Sequence, residues 1–310
     1  MIYDNQLIKE INSELAARRK AAESRAEYYA DVLGKNAGYA AAEKKYYTAK
    51  FDLSKARFNG NEAAEEKAAS DMNAANETMK SIRETLGITD KMTTPDYRCK
   101  KCNDTGITRN GKHCKCFEKL ACEITLEELG IEKKTLPALS ASAIKENNLD
   151  RYYAKFSDYC EKFDRTRKNV IIYGSVGTGK SHLAACIANE LIAKNYNVVF
   201  VSACELDTIF LKYHTAPVSD KSFYLSLLCG CDLLVIDDLG AEPIYKNVTL
   251  EYLLLILSER LAKNMPYIIT TNLSQEQILD RYGDRILSRL NDKKHGVNIE
   301  IKGEDLRRKR

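Results

Sequence analysis

The sequence predicts an α/β fold in the C-terminal half of the chain, with a five-stranded parallel sheet covered by helices on both faces. Five short runs rich in β-branched and other apolar residues follow residue 168, and stretches of helical composition separate them. Strands that alternate with helices form parallel sheets of this kind. The predicted strands are 169–173, 197–201, 232–236, 267–271 and 296–301, and the predicted helices are 180–194, 205–213, 248–263 and 275–291.

Residues 1–90 have a different composition, rich in Ala, Glu, Lys, Arg and Tyr and without proline. Glycines at 34, 38, 60 and 87 divide this region into three predicted helices, about 4–33, 39–58 and 61–86. Many apolar positions are alanine, so we expect a helical hairpin or three-helix bundle with close contacts. No set of residues there resembles a catalytic site. The region is therefore either a solvated bundle or a module that docks a partner.

The overall composition is that of a globular protein, with 44% hydrophobic and 30% charged residues in 310 positions. We find no apolar run long enough to span a membrane and no signal-peptide pattern. A cytoplasmic protein without a membrane partner is the resulting expectation.

Four of the ten cysteines lie close together, as Cys99-x-x-Cys102 and Cys114-x-Cys116. Four thiolates at this spacing predict a structural Zn²⁺ site, with the turn 103–106 following the first pair. His113 or Cys122 could replace one ligand, and a redox pair or free thiols are the alternatives. The net charge of +4 is concentrated in residues 99–119. The lysines within residues 99–119 either contact DNA phosphates or simply solvate a small module.

A glycine-rich loop follows the first predicted strand and precedes a helix, and it matches G-x-x-x-x-G-K-[ST]. Such a loop turns its backbone amides toward the phosphates of ATP at a helix N-terminus. Its lysine would reach the β- and γ-phosphates, and its serine hydroxyl would bind Mg²⁺. The loop consists of Gly174, Ser175, Val176, Gly177, Thr178, Gly179, Lys180 and Ser181.

The apolar strand 232–236 is followed by two carboxylates, Asp237 and Asp238. This is the pattern of a Walker B site, in which Asp237 would hold Mg²⁺ through water and Asp238 would polarise the attacking water. The alternative is a strand that simply ends in an acidic turn.

The strand 267–271 is followed by Asn272, whose amide is expected beside the γ-phosphate as a sensor 1 residue. The same segment also reads as a strand-to-helix turn, because Ser274 and Gln277 have the spacing of a capping box. The two interpretations are compatible.

Arg285 and Arg289 are four residues apart and are expected on one face of a helix. Phosphoryl transfer gains from an arginine that neutralises transition-state charge, often from a neighbouring subunit. The alternative is a pair of surface charges that neutralise Asp284 or Asp292.

With these motifs in order, residues 123–310 resemble the DnaC/DnaI family of AAA+ replicative helicase loaders and the related IstB-type transposition ATPases. The resemblance rests on GSVGTGKS, LLVIDDLG, TTNLS, DRYGDRILSRL and KGEDLRRKR. It implies that Arg289 is an arginine finger, Arg285 its neighbour and Arg307 a sensor 2 arginine. Two positions depart from the pattern: Leu306, where an aromatic residue is common, and Asp238, where many AAA+ proteins have glutamate.

The resemblance implies a helicase loader with three parts. Residues 1–95 and the zinc module 96–122 would dock a hexameric replicative helicase, and the AAA+ domain 123–310 would bind ATP with Mg²⁺ and single-stranded DNA. A zinc module in this position is a feature of the DnaI branch. Only nine residues follow the last predicted strand, so we expect no helical lid, self-association to complete the ATP site, and weak, assembly-dependent ATP hydrolysis.

Two alternatives stay open. One is an IstB-like transposition helper ATPase that binds duplex DNA and a transposase, and the other is a nucleotide switch in which hydrolysis matters little. For single-stranded DNA, the family implies contacts in residues 205–224, where Lys212 and Lys221 accompany aromatic residues. The same segment reads equally as an amphipathic helix that packs Leu206, Ile209 and Phe210 on the sheet.

Overall fold

A computed structural model describes residues 3, 5–132, 134, 136–137, 149–163 and 168–306 of the chain. The chain divides into two compact units. Lys9–Phe117 form the first, which we call the helical unit, and Met1–Ile8 with Glu118–Arg310 form the second, the sheet unit. In the described part of the chain, no helix has the length and apolarity needed to cross a bilayer.

The N-terminal region consists of three long helices, α1 (Asn5–Lys35), α2 (Ala37–Phe58) and α3 (Glu62–Leu86), as the composition predicts. Asparagines set the starts of two of them. The Asn36 side chain accepts a hydrogen bond from the Tyr39 amide, and the Asn61 side chain accepts one from the Ala64 amide. These bonds satisfy amides that have no partner within the helix.

α2 and α3 pack along a seam of small residues. Alanine recurs at every seventh position on the buried side of α2, at 42, 49 and 56, and on α3 at 68 and 75. A seven-residue repeat keeps one stripe of a helix against its neighbour over several turns. Because alanine is small, the two backbones can approach closely, and any larger side chain in the seam would need space that is not present.

The sheet unit is built on five parallel strands in the order β2-β3-β4-β1-β5, which confirms the predicted sheet. Their carboxyl ends therefore meet along one edge, where ligands of open α/β sheets bind. The strands are β1 (Asn169–Tyr173), β2 (Val198–Ser202), β3 (Leu233–Leu239), β4 (Tyr267–Thr271) and β5 (Gly296–Glu300).

Helices cover both faces of this sheet. Alternate strand residues point to opposite sides, so Ile171 and Ile236 belong to one buried cluster and Ile172 and Val235 to the other. The second cluster includes α5 and α6, and the first includes most of the remaining helices. The helices are α4 (Lys115–Glu128), α5 (Leu149–Glu161), α6 (Lys180–Ala193), α7 (Ala203–Thr215), α8 (Val218–Gly230), α9 (Thr249–Ala262), α10 (Gln275–Tyr282) and α11 (Asp284–Leu290).

Two features of the helices differ from the prediction. α8 was not predicted; its apolar residues Leu227 and Leu228 become buried, and this packing outweighs its weak helical pattern. The predicted single helix 275–291 is wrong, because Gly283 adopts φ 80° and ψ 167° and separates α10 from α11. Glycine reaches this left-handed region without the steric cost that a side chain imposes.

Candidate functional site

The loop Gly174–Ser181 connects the carboxyl end of β1 to the first turn of α6. Gly177 and Gly179 have φ values of 77° and 99°, which glycine adopts readily. The N-cap of α6 is Gly179, which has no side chain that could cap the first amides. The amides at a helix start and the positive end of the helix dipole are what an anion needs. The loop can therefore receive phosphate groups.

The other members of the loop have distinct positions. Ser175 and Val176 are exposed, and Ser181 is half-buried near the start of α6. Thr178 is buried, and its hydroxyl donates to the Ser175 carbonyl at 2.9 Å, which holds the turn together. All eight residues of the predicted motif thus lie in one continuous strand–loop–helix segment.

Lys180 is 5% exposed, and its ammonium group lies inside the loop. Nζ donates to the carbonyls of Gly174 and Ser175 at 2.8 and 2.7 Å, and to Oδ1 of Asn272 at 2.6 Å. A buried charge is tolerated when hydrogen bonds compensate for lost hydration, and here three acceptors do so. The contact with Asn272 joins the loop to the end of β4.

The two predicted carboxylates lie at the carboxyl end of β3, beside β4. Oδ1 of Asp237 accepts a hydrogen bond of 2.6 Å from the Thr270 hydroxyl, and this hydroxyl accepts one of 2.8 Å from the Asp238 amide. The backbone of Asp238 has φ 59°, and the β3–β4 register shifts between Ile236 and Leu239. The two neighbouring carboxylates have different partners, Thr270 for Asp237 and Asn272 for Asp238. The sequence reasoning did not identify Thr270, although it belongs to the same TTN motif.

Asn272 connects the three predicted motifs. Its Oδ1 accepts from Lys180, and its Nδ2 donates to Oδ1 of Asp238 at 2.6 Å. Ser274 and Gln277 also form the expected capping box at the start of α10. The capping interpretation is confirmed, and the asparagine amide also faces the loop lysine and the acid, so capping is compatible with the sensor role, which stays a prediction.

Arg285 and Arg289 lie on the same short helix, α11. The Arg285 side chain is exposed, whereas the Arg289 guanidinium donates to the Ser258 hydroxyl at 2.6 Å and to the Arg285 carbonyl at 2.8 Å. Within the described residues, neither arginine pairs with Asp284 or Asp292, and Asp292 pairs with His295 instead. No hydrogen bond in this part of the chain joins either arginine to the phosphate loop. Arg307 lies outside the described residues.

The segment Ile301–Leu306 runs along the phosphate loop, a feature that the motifs alone did not indicate. The Ile301 amide donates to the Tyr173 carbonyl at 2.8 Å, and the Leu306 amide donates to the Gly177 carbonyl at 3.0 Å. A Cβ atom added at Gly177 would overlap Oδ1 of Asp305. Any side chain at position 177 would therefore displace the Asp305 carboxylate from the loop.

A group of buried polar residues lies under the β3 carboxyl end. Glu242 is 3% exposed; it accepts hydrogen bonds from the Gly240 amide at 2.8 Å and from the Tyr282 hydroxyl. Asp207 of α7 is also 3% exposed and accepts one from Thr249 at 3.0 Å, while its Oδ2 has no partner in the described part of the chain. Burial raises the pKa of Asp207 to about 6, and the nearby Glu242 charge adds to the increase. Sequence patterns gave no indication of this group.

The four predicted cysteines converge in the helical unit. Their sulfur atoms all lie within 4.8 Å of one another, with 3.7 Å between those of Cys99 and Cys114 and 3.3 Å between those of Cys102 and Cys116. Four thiolates about 2.3 Å from a tetrahedral Zn²⁺ would be about 3.8 Å apart, so the donor set could hold such an ion. Burial, followed by the neighbouring thiols, raises the pKa of Cys116. A divalent cation would reverse this effect and keep the four groups ionised.

The alternative ligands are not part of this cluster. His113 stacks on Phe117 with ring centroids 4.1 Å apart, and Cys122 is buried in the core of the sheet unit. The turn after Cys102 is fixed by Asp104, whose carboxylate accepts hydrogen bonds of 2.8 Å from the amides of Arg98 and Cys99. The cluster is thus held by backbone contacts as well as by its thiols.

The segment expected to contact DNA forms α7 and α8. Leu206, Ile209 and Phe210 are buried, as the amphipathic interpretation predicts. Lys212 is exposed, and Nζ of Lys221 lies 5.5 Å from the centroid of the Tyr213 ring. The packing of the apolar residues is thus as the amphipathic interpretation predicts, whereas contact of Lys212 and Lys221 with DNA stays a prediction.

The sheet unit matches a known protein family. The family described as IstB-like ATP binding protein matches residues 148–310, which is just over half of the chain and includes the sheet, the phosphate loop and the residues at the ends of β3 and β4. The match excludes the helical unit.

Three curated relatives share part of this region. The replicative helicase loader DnaC of Escherichia coli K12 is 30% identical over 139 residues, 44% of this chain and 56% of the relative. The replicative helicase loader DnaI of Bacillus subtilis 168 is 27% identical over 126 residues, 39% of each chain. A putative insertion sequence ATP-binding protein, y4uH, of Sinorhizobium fredii is 31% identical over 152 residues, 47% of this chain and 58% of the relative. The chain thus spans about half the length of the curated relatives it matches.

Proposed function

The chain belongs to the IstB-like ATP-binding family, and we propose that within this family it is an ATP-dependent loader of a replicative helicase. In this proposal the sheet unit binds ATP with Mg²⁺ and single-stranded DNA, and the helical unit binds the hexameric helicase. The protein would act in the cytoplasm, where its DNA and helicase partners reside. Similarity to the loaders DnaC and DnaI supports the assignment.

The contacts among Lys180, Asn272 and Asp238 support ATP hydrolysis in particular. Lys180 and the loop amides would bind the phosphates, and Ser181 with Asp237 would hold Mg²⁺. Asp238 would polarise the attacking water, and Asn272 would position it beside the γ-phosphate. Each group already lies where the carboxyl ends of β1, β3 and β4 meet.

Arg289 would complete this site from a second copy of the chain, with Arg285 beside it and Arg307 acting on its own loop. Among the hydrogen-bond partners in the described residues, the Arg289 guanidinium contacts only Ser258 and Arg285. A guanidinium held by one neutral hydroxyl and one carbonyl can exchange these partners for phosphate at low cost. Turnover would then require self-association.

The four cysteines of the helical unit would bind one structural Zn²⁺. A segment this short has little hydrophobic core, and metal binding contributes directly to the folding of such segments. The resemblance to the DnaI branch leads to the same proposal.

One observation supports a protein-docking role for the helical unit: a line of exposed aromatic residues on α2. Tyr47, Phe51 and Phe58 are 60%, 69% and 92% exposed, and their spacing of four and seven residues places them on one side of the helix. Exposed aromatic side chains in a row are typical of protein-binding surfaces. Lys50 and Lys55, which are exposed nearby on the same helix, suit an acidic partner surface.

A transposition helper is the second candidate function, because the chain is also similar to the insertion sequence ATP-binding protein of Sinorhizobium fredii. The deciding experiment measures binding of the full-length chain to the purified hexameric helicase of the same host, with and without ATP. Replacing Tyr47, Phe51 and Phe58 with alanine should weaken binding at least about tenfold, because exposed aromatic anchors dominate such interfaces. Tyr28→Ala, at a 63% exposed tyrosine of α1, is the matched control.

Three results would change the assignment. Absence of helicase binding together with ATP-dependent binding of duplex DNA and a transposase would establish the transposition helper. Helicase binding that is unaffected by the triple substitution would place the docking surface elsewhere. Full loading activity of Asp238→Ala would indicate a nucleotide switch rather than an ATPase.

A further inference from the structure

The helical unit contains a groove of about 420 Å³ between α1 and the segment 91–104. Four cationic side chains line it: Arg18 and Arg25 from α1, and Lys91 and Arg98 from the segment that precedes the first cysteine pair. Its volume is within the range of ligand-binding pockets. Two separate parts of the chain thus bring positive charge to one concave surface.

Most of this positive charge is available to a ligand. Arg18 pairs with Glu14 at 2.7 Å, but within the described residues Arg25, Lys91 and Arg98 form no ion pair, and all three are exposed.

The two carboxylates in the groove are engaged by other groups. Asp96 pairs with Lys100, and Asp104 accepts the amides of Arg98 and Cys99. Lys100, with smaller contributions from Arg25 and Lys91, lowers the pKa of Asp96. With four cations against two carboxylates, the groove keeps an excess of positive charge.

The helical unit as a whole also carries a positive excess, most of it in residues 99–117. Lys9–Phe117 contain 21 basic and 16 acidic side chains, whereas the rest of the chain contains 27 basic and 28 acidic ones. The helical unit therefore accounts for the positive charge of the protein. A surface of this sign increases the rate at which polyanions associate.

The lining of the groove indicates which polyanion fits. Ala21 and Ala22 of α1, together with Met92, which packs against Leu33, Tyr39 and Ile88, form its apolar surface. An acidic peptide would require apolar pockets for anchoring side chains, and alanines provide little depth. A phosphodiester backbone requires only cations at intervals, and three of the four cations are guanidinium groups, which bind phosphate oxygens in pairs.

We propose that this groove binds the phosphodiester backbone of a nucleic acid and so gives the helical unit a nucleic-acid site of its own. The site is separate from Lys212 and Lys221 of the sheet unit. It extends the DNA binding of the proposed function and would remain if those two lysines proved irrelevant.

The test measures fluorescence anisotropy of a labelled deoxythymidine strand of about 16 nucleotides with the full-length, zinc-loaded chain. Affinity is recorded between about 50 and 200 mM salt for the wild type and for the Arg25→Ala, Arg98→Ala double variant. Lys67→Ala with Lys80→Ala is the matched control, because it removes the same charge from exposed positions on α3. Zinc content and thermal unfolding verify that each variant is folded.

The arginine variant should bind the strand on the order of tenfold more weakly, and its salt slope should fall by about 1.4, since each lost phosphate contact contributes about 0.7. The lysine variant should match the wild type. Equal effects of the two variants would overturn the proposal, as would tighter binding of a polyglutamate peptide than of the strand. Affinity for a duplex of the same length shows whether the groove prefers single-stranded or duplex nucleic acid. Binding of either form supports a backbone site. Lys212→Ala with Lys221→Ala separately tests the sheet unit.

Discussion

Lys180 and Asn272 are 92 positions apart in the sequence, yet Nζ of the lysine and Oδ1 of the asparagine are 2.6 Å apart. The contact joins the phosphate loop after β1 to the end of the neighbouring strand β4. Since Asn272 also donates to Asp238, one amide orients both a cation and a carboxylate. Nucleotide binding at the loop would therefore alter the hydrogen bonds of Asp238, the acid that we propose polarises the attacking water.

Replacing Asn272 with alanine should reduce ATP turnover more than ATP binding. The loop amides and Lys180 remain, so the Kd for ATP should change less than about threefold, whereas kcat should fall about 10- to 100-fold, or about 1.4–2.7 kcal/mol of transition-state stabilisation. Steady-state ATPase assays and calorimetric titration measure the two quantities. Asn298→Ala, on the edge strand β5, is the control. A parallel loss of binding and turnover would show that Asn272 only supports the loop.

Arg289→Ala should abolish the stimulation of ATP turnover by high protein concentration. Ser258→Ala, which removes the hydroxyl that holds Arg289, should leave turnover unchanged or increase it. Mixing Arg289→Ala with Lys180→Ala should restore roughly a quarter of wild-type activity, because random pairing combines an intact loop with an intact arginine in that fraction of interfaces. If the mixture stays inactive, Arg289 does not act across subunits.

Cys102→Ser should reduce the zinc content from about one ion per chain to nearly none, because three thiolates bind the ion far less tightly than four. The melting temperature should fall by at least about 5 °C, since metal binding contributes to folding. Metal analysis and thermal unfolding followed by circular dichroism provide the measurements. Cys204→Ser, at an exposed thiol outside the cluster, should change neither. Equal zinc content in the two variants would contradict the assignment.

Stability should depend on pH through Asp207. Its folded pKa of about 6 lies above the unfolded value of 3.8, so folding favours the protonated form, and this contribution to stability decreases as pH rises from about 4 to 6. Asp207→Asn buries no charge at pH 7, so it should be more stable than the wild type there. The difference should shrink as the pH falls toward 4, where Asp207 is protonated. Denaturant unfolding at several pH values measures this. A constant difference would show that Asp207 already ionises normally.

Asp305→Ala should bind ATP more tightly, because the carboxylate beside Gly177 repels the phosphates that enter the loop. We expect an increase of about two- to fivefold that weakens as salt is added, since screening reduces the repulsion. Glu304→Ala removes the same charge one residue earlier and should have a smaller effect. Titration with a fluorescent ATP analogue compares the two variants.

The sheet and its ATP loop were predictable because local chemistry determines them. The strand alternation and the loop glycines each reflect a backbone requirement that is visible in a few consecutive residues. The clustering of Cys99, Cys102, Cys114 and Cys116 was predictable for a similar reason, since ligand spacing limits how the chain can turn.

Other parts depend on contacts between distant residues. The pairing of Asp207 with Thr249, the position of Asp305 against Gly177 and the helix α8 arise from packing that no short pattern encodes. The spacing of the aromatic residues on α2 predicts that they share one side of the helix. It does not predict that this side is exposed, because the same spacing is usual for a buried face. The break at Gly283 was missed because an isolated glycine inside a helical pattern is often tolerated.

The alanine seam between α2 and α3 also bears on the length of the hairpin that these two helices form. The 22-residue helix α2 measures roughly 33 Å, and Phe58 lies at its end, beside the turn into α3. The seam repeats every seven residues. Adding seven residues to each helix, or removing seven from each, would therefore shift the α2–α3 turn by roughly 10 Å while the helix packing stays in register. Chains with hairpins of different lengths could then reach partners of different sizes without any change in the site that binds ATP.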